Sequence, residues 1–183
     1  MPGGEEILVE TVDEQGRAVG TAEKLEAHRE PGVLHRAFSL FAFDGAGRLL
    51  LQRRAAGKYH SPLMLTNSAC GHPFPGEAPA TAVARRAAEE LGAPVRDLTE
   101  LGIVQYHVHD DATGLYEREY NHVFAGLVDA ESLAHDPDEI AEIVFVTGAE
   151  LAALRAAEPF TAWFDDVWGV TRGHLSHWGF RDA

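Results

Sequence analysis

A single cysteine, Cys70, is all this sequence offers for thiol chemistry, so no internal disulfide can form and a reducing cytoplasm is the expected setting. Long apolar runs are missing as well. No stretch approaches the ~18 consecutive apolar residues that a membrane-spanning helix needs, so no membrane role is expected. Positive charge is scarce: 15 Lys and Arg stand against 29 Asp and Glu, a net charge of −14. That balance argues against nucleic acid or an anionic membrane surface as partner. It leaves an anionic small molecule open, because a local group of cations or a bound metal reverses the sign inside one pocket. The opening MPGGEEILVE carries acidic residues where a secretory leader needs a basic and then an apolar stretch. Internal repeats and low-complexity tracts are also lacking.

What is present fits a globular chain. The 183 residues, 45% hydrophobic and 24% charged, suffice for one domain over 1–183 with a full core. Alternation predicts short strands at 7–11 and 18–22, and a strong strand at 34–44 that a Gly45-Ala46-Gly47 turn returns into 48–54. Two further strands are expected at 101–109 and 116–128 around a turn at 110–114, and a last one at 142–147. Thr147 and Glu150 have the spacing of a capping box for a helix through Ala156. An amphipathic aromatic stretch follows Pro159, and His174 and His177 read as surface residues.

One stretch stands apart. From Gly71 to Gly92 the sequence GHPFPGEAPATAVARRAAEELG begins as a loop bent by glycine and proline and continues as a helix from Pro79. Val83, Ala87 and Leu91 make its apolar stripe, while Arg85–Glu89 and Arg86–Glu90 are i,i+4 pairs on other faces. Just upstream, Arg53, Arg54 and Lys58 concentrate three of the few cations, the residue types suited to phosphate oxygens. Downstream, Glu117 and Glu119 alternate onto one face of a strand that runs into the core, where paired carboxylates need a cation.

The intervals Gly71, Glu77, Arg85, Glu89-Glu90 and Gly92 resemble the Nudix box, a loop–helix–loop that holds a divalent metal against a diphosphate. Arg86 departs from it, standing where a metal-binding glutamate usually follows the arginine. The adjoining TNSACGHP, with TAEKLEAH, LHRAF, QRRAAGK, EREYNHVF and PFTAW, is similar to type 1 isopentenyl-diphosphate isomerases over nearly the whole chain. The resemblance implies an α/β fold, a Nudix-type α/β/α sandwich with a mixed sheet. An N-terminal extension of about 1–33 and a C-terminal helical segment of about 159–178 would flank it.

That family interconverts isopentenyl and dimethylallyl diphosphate, a step of isoprenoid biosynthesis. By resemblance, His28, His35, His72, Glu117 and Glu119 would hold one divalent ion, and mixed imidazole and carboxylate ligands suit Mn2+ or Zn2+. Glu90, with the Cys70 backbone carbonyl, would hold Mg2+ bridging to the substrate. Lys24, Arg54, Lys58 and Arg86 would bind diphosphate oxygens, Glu119 with Tyr106 would protonate the alkene, and Cys70 would remove a proton, its thiolate favoured by the nearby metal and cations. Trp163 would face the carbocation. His107 is the alternative to Tyr106 if the 110–114 turn is read without a gap. Leu65 stands where the family usually has tryptophan, which predicts an altered pocket wall. The competing readings are a relative that cyclises or alkylates another prenyl diphosphate, a Nudix diphosphate hydrolase, and a catalytically silent binding protein. A monomer or weak homodimer is expected.

Overall fold

The computed structural model describes residues 7–181. Nine strands join in one open, mixed sheet. Its axis is the third strand, β3 (His35–Phe43), which runs parallel to β8 (Leu115–Leu127) along its whole length, His35 facing Glu119 and Phe43 facing Leu127. β8 in turn pairs antiparallel with β7 (Arg96–Asp110). On the other edge β3 meets β6 (Ala69–Gly71) and, beyond the 44–47 turn, β4 (Leu49–Arg54). β4 also pairs with β5 (Leu65–Thr66) and β9 (Ile140–Val146). The hairpin β1 (Leu8–Val12) and β2 (Ala18–Glu23) joins through the Thr11–His35 pairing. The first six residues of the expected N-terminal extension lie outside the described residues.

Alternation along β3 sorts the two cores. Phe38, Leu40 and Ala42 point to one side and are covered by Val83, Ala87 and Leu91 of α2 (Pro79–Leu91). Phe41 and Phe43 point to the other side, where Phe164, Val167 and Trp168 of α4 (Phe164–Thr171) cover them. The result is the sandwich the resemblance implied, because a sheet apolar on both faces must be covered twice. The short α1 (Lys24–His28) is capped by the Glu23 carboxylate, and α3 (Gly148–Ala157) begins with the expected Thr147–Glu150 capping box. His174 and His177 are exposed, as read from the sequence.

The largest shift in element boundaries is in β7, which starts at Arg96 and not at Leu101. Its first residues are polar, Asp97 has φ 52°, and the register slips twice before Gly102. Bulges of this kind lengthen a strand while destroying the alternation by which it is recognised.

Candidate active site

Register explains why one face collects the chemistry. His35 is opposite Glu119 on β8, Tyr106 of β7 is opposite the same Glu119, and Ser39 is opposite Cys70 of β6. Side chains of paired residues share a face, so residues more than 80 positions apart are stacked along one side of the sheet. α1 then brings His28, fully buried, over Glu117.

The five expected metal ligands converge. One donor atom from each of His28, His35, His72, Glu117 and Glu119 lies within 4.8 Å of all the others. His28 Nδ1 is 2.6 Å from the Lys24 carbonyl and His35 Nδ1 is 2.7 Å from the Val33 carbonyl. A carbonyl only accepts, so both Nδ1 atoms carry a hydrogen and both Nε2 atoms are directed inward. His35 Nε2 and His72 Nε2 are 3.0 Å apart, and His28 Nε2 lies 3.1 Å from Glu117 Oε2 without a hydrogen-bond partner among the described residues. Burial pushes His35 down to about 4, with the nearby His28 adding to the effect, and burial holds His72 well below 6.5. Imidazole nitrogens aimed at one another and at two carboxylates are a donor set suited to a cation. The residues fit a divalent metal.

The two glutamates diverge in charge. Burial works against ionisation of both. At Glu117, contacts from His28 and His60 outweigh it and hold the carboxyl well below its usual range. At Glu119, burial and the neighbouring Glu117 push the carboxyl well above that range. Glu119 Oε2 accepts hydrogen bonds from the Tyr106 hydroxyl and from Asn121 Nδ2 at 2.9 Å, while Oε1 faces His72 Nε2 at 3.0 Å and His35 Nε2 at 3.7 Å. The tyrosine in this contact is Tyr106. His107 lies on the opposite, exposed face with its Nε2 2.8 Å from the Pro31 carbonyl.

These groups border a cavity of about 380 Å3 that is also lined by Cys70, Trp163, Lys24, Arg54, Lys58 and Arg86. Burial pushes the Cys70 thiol up to about 11, against the pull of Arg54, whose Nη1 is 3.9 Å from Sγ. Burial thus outweighs the pull of the protein's own cations on this thiol. Trp163 is held by its Nε1–H, which donates to Asn67 Oδ1 at 3.4 Å, and Arg54 lies 5.5 Å from its ring centre. Leu65 is fully buried on β5, bonded through its backbone to Pro159 and Thr161, and is absent from the residues that line the cavity.

At the other end of the cavity Lys24 is pushed below its ordinary value by burial and then by the charges of Lys58 and Arg86. Lys58 and Arg86 share Glu139: Lys58 Nζ donates to its Oε2, which lies 3.4 Å from Arg86 Nη2. Arg86 also pairs with Glu89 at 2.7 Å and with Glu90. Glu90 itself is buried, beside Gln52 at 3.3 Å. The other box residues are structural. Arg85 binds both oxygens of Glu77 at 3.0 and 2.8 Å, and Glu77 accepts the Phe74 N–H, which fixes the loop. Gly92 ends α2 at φ 68°, where an added Cβ would come 2.2 Å from the Ala134 carbonyl.

All the expected site residues but Glu90 line the cavity or belong to the histidine–glutamate cluster; Glu90 is buried against Arg86 and Gln52. Sequence reasoning missed His60, Asn67, Asn121 and Glu139. Asn121 had a signal, continuing the Glu117, Glu119 alternation. Glu139 and His60 had none, since loops brought them in.

The fold and the cluster together define a Nudix-class protein, and the family model for the Nudix domain matches residues 33–164. A Deinococcus radiodurans crystal structure has the same fold, with a TM-score of 0.71 at 23% identity over 91% of this chain and 99% of that one. Proteins named isopentenyl-diphosphate Delta-isomerase are far more similar. The one from Streptomyces griseus is 56% identical over 92% of this chain and 85% of its own length; that from Nocardia farcinica is 51% identical over 87% and 91%. The chain belongs to this isomerase family of the Nudix superfamily. Among the described residues no helix is long and apolar enough to cross a membrane.

Proposed function

We propose that the protein interconverts isopentenyl and dimethylallyl diphosphate by adding a proton to the terminal alkene carbon and removing another from the CH2 on the far side of the cationic carbon. The observation that carries this reading is the Tyr106–Glu119 contact on the same cavity as Cys70 and Trp163. An unactivated alkene is a weak base, so protonation needs a positioned, neutral acid in a dry site. Glu119 is the carboxyl driven toward its protonated form, and Tyr106 and Asn121 hold its Oε2 in place. In the forward direction Glu119 gives a proton to the terminal CH2 carbon, leaving a tertiary cation. Trp163 offers its π face to that cation, worth roughly 2 kcal/mol or more when desolvated. Cys70 as thiolate then takes the proton from the carbon next to the cationic centre. Arg54, the cation nearest Sγ, favours that ionised form.

Lys24, Arg54, Lys58 and Arg86 bind the diphosphate. Glu139 is the counter-ion of Lys58 and Arg86 until the substrate replaces it. His28, His35, His72, Glu117 and Glu119 would hold Mn2+ or Zn2+, and Glu90 with the Cys70 carbonyl would hold Mg2+. When bound, the ion at the cluster supplies positive charge that lets the paired carboxylates stay buried. Hydrolysis is disfavoured because the box position that would add a carboxylate is Arg86, engaged with Glu89, Glu90 and Glu139.

The test is incubation with isopentenyl diphosphate, Mg2+ and Mn2+ in D2O followed by NMR. Deuterium in newly formed dimethylallyl diphosphate supports the reading. Free phosphate would replace it with hydrolysis, and unchanged substrate with binding alone.

A further inference from the structure

We infer that His60 is a positioning residue that holds one oxygen of Glu117 and so limits that carboxylate to a single metal-facing oxygen. The inference rests on the reading of the histidine–glutamate cluster as a divalent metal centre. His60 is not among the five converging ligands, yet it is 6% exposed and its Nε2 lies 2.8 Å from Glu117 Oε1. The other oxygen, Oε2, lies 3.1 Å from His28 Nε2. The two oxygens of Glu117 therefore face different imidazoles, one belonging to the cluster and one outside it.

The tautomer follows from what surrounds the ring. His60 Nδ1 is buried without a hydrogen-bond partner among the described residues. A hydrogen on Nδ1 would leave an unpaired N–H and set a bare Nε2 against a carboxylate oxygen. Glu117 Oε1 is likewise buried without an aligned hydrogen-bond partner among the described residues, so the 2.8 Å contact is a short electrostatic one: a hydrogen on Nε2 makes it attractive, where a bare Nε2 would make it repulsive.

The ring has little freedom to leave. It stacks on His28 with centroids 5.5 Å apart and meets Trp163 edge-on at 5.6 Å. The backbone is fixed from both sides. Arg54 donates Nε and Nη2 to the His60 carbonyl at 3.3 and 3.1 Å, and Ser61 donates its N–H and hydroxyl to Asp110 Oδ2 at 2.8 and 3.1 Å. The loop is thus tied to the end of β7, with His60 directed at a carboxylate of the cluster.

The experiment titrates apo protein with Mn2+, reading free and bound ion by electron paramagnetic resonance, for wild type, His60→Ala and His60→Gln. Apo unfolding midpoints are measured alongside. Loss of a partner that orients a ligand weakens metal binding by roughly 10–100-fold, the effect expected for His60→Ala together with a changed bound-ion spectrum. His60→Gln, whose amide keeps a donor near Nε2, should recover most of the affinity. Wild-type affinity and spectrum in His60→Ala would overturn the assignment. So would equal weakening in both variants matched by equal loss of apo stability, which is the signature of packing alone. Failure of the wild type to bind Mn2+ or Zn2+ would overturn the metal centre itself and the role with it.

Discussion

The two charged regions of the cavity are built on opposite principles. Around His28, His35, His72 and Glu119, buried imidazole nitrogens and carboxylates face one another. Around the Nudix box, each cation has a carboxylate: Arg85 with Glu77, Arg86 with Glu89 and Glu90, Lys58 with Glu139. On the proposed reading, a divalent ion would complete the first region. The second holds itself together and needs only to exchange one anion for another. Buried polar groups without partners carry a large penalty, so the unsatisfied region is the one whose stability depends on its ligand.

The sharpest break in that comparison is chemical. Cys70→Ala should lower turnover by about 10³-fold or more, as removal of a catalytic base does, while metal content by elemental analysis stays at the wild-type level. Loss of metal in that variant would move Cys70 from the chemistry to the metal centre.

Removing the ion should separate the regions next. Chelation is expected to abolish isomerisation and lower the unfolding midpoint, since an ion at 100 times its Kd contributes roughly 2.7 kcal/mol. Calorimetry with and without Mn2+ reads it. His28→Ala should erase the metal-dependent part, whereas Arg86→Ala should leave it and raise KM, checked by initial rates. An Arg86→Ala variant that loses the metal-dependent stabilisation would merge the two regions into one.

Backbone constraint comes third. Gly92→Ala should destabilise by about 1–3 kcal/mol in urea unfolding, because a Cβ there meets the Ala134 carbonyl and occupies a left-handed φ.

The smallest effect is a pH dependence. Hydrogen bonds from Arg85 hold Glu77 below its ordinary 4.5. A carboxyl lowered by folding stabilises fully above its unfolded pKa, and that contribution disappears as pH falls through the lower folded value. The midpoint of Glu77→Gln should therefore lie below that of wild type at neutral pH, and the two should converge below about pH 4.5. Parallel curves across the acid range would show that the Arg85–Glu77 pair adds nothing to the fold.

How legible this was differs between the same two regions. The box could be read almost whole, because Gly71 to Gly92 is contiguous and its spacing follows from one loop and one helix. Glu117 and Glu119 could be read as paired because strand alternation is local. His28 taken alone read as a surface residue, and only the packing of α1 over β8 makes it fully buried. Tyr106 and His107 were equivalent choices in one dimension; the antiparallel register with β8 separates them onto opposite faces. Leu65 reads as part of the pocket wall because the family usually has tryptophan at its position; in the structure it is fully buried on β5.

The sequence by itself determined the family, the sandwich and the identity of the charged groups, since these depend on residue type, order and short-range periodicity. Only the tertiary structure decided which oxygen of Glu117 meets His28 and which meets His60, why Glu119 is pushed up and Glu117 down from the usual carboxyl range, and why burial raises the Cys70 thiol. Those are matters of ångströms and burial, and desolvation and directional contacts are set by neighbours that the chain brings together from far apart.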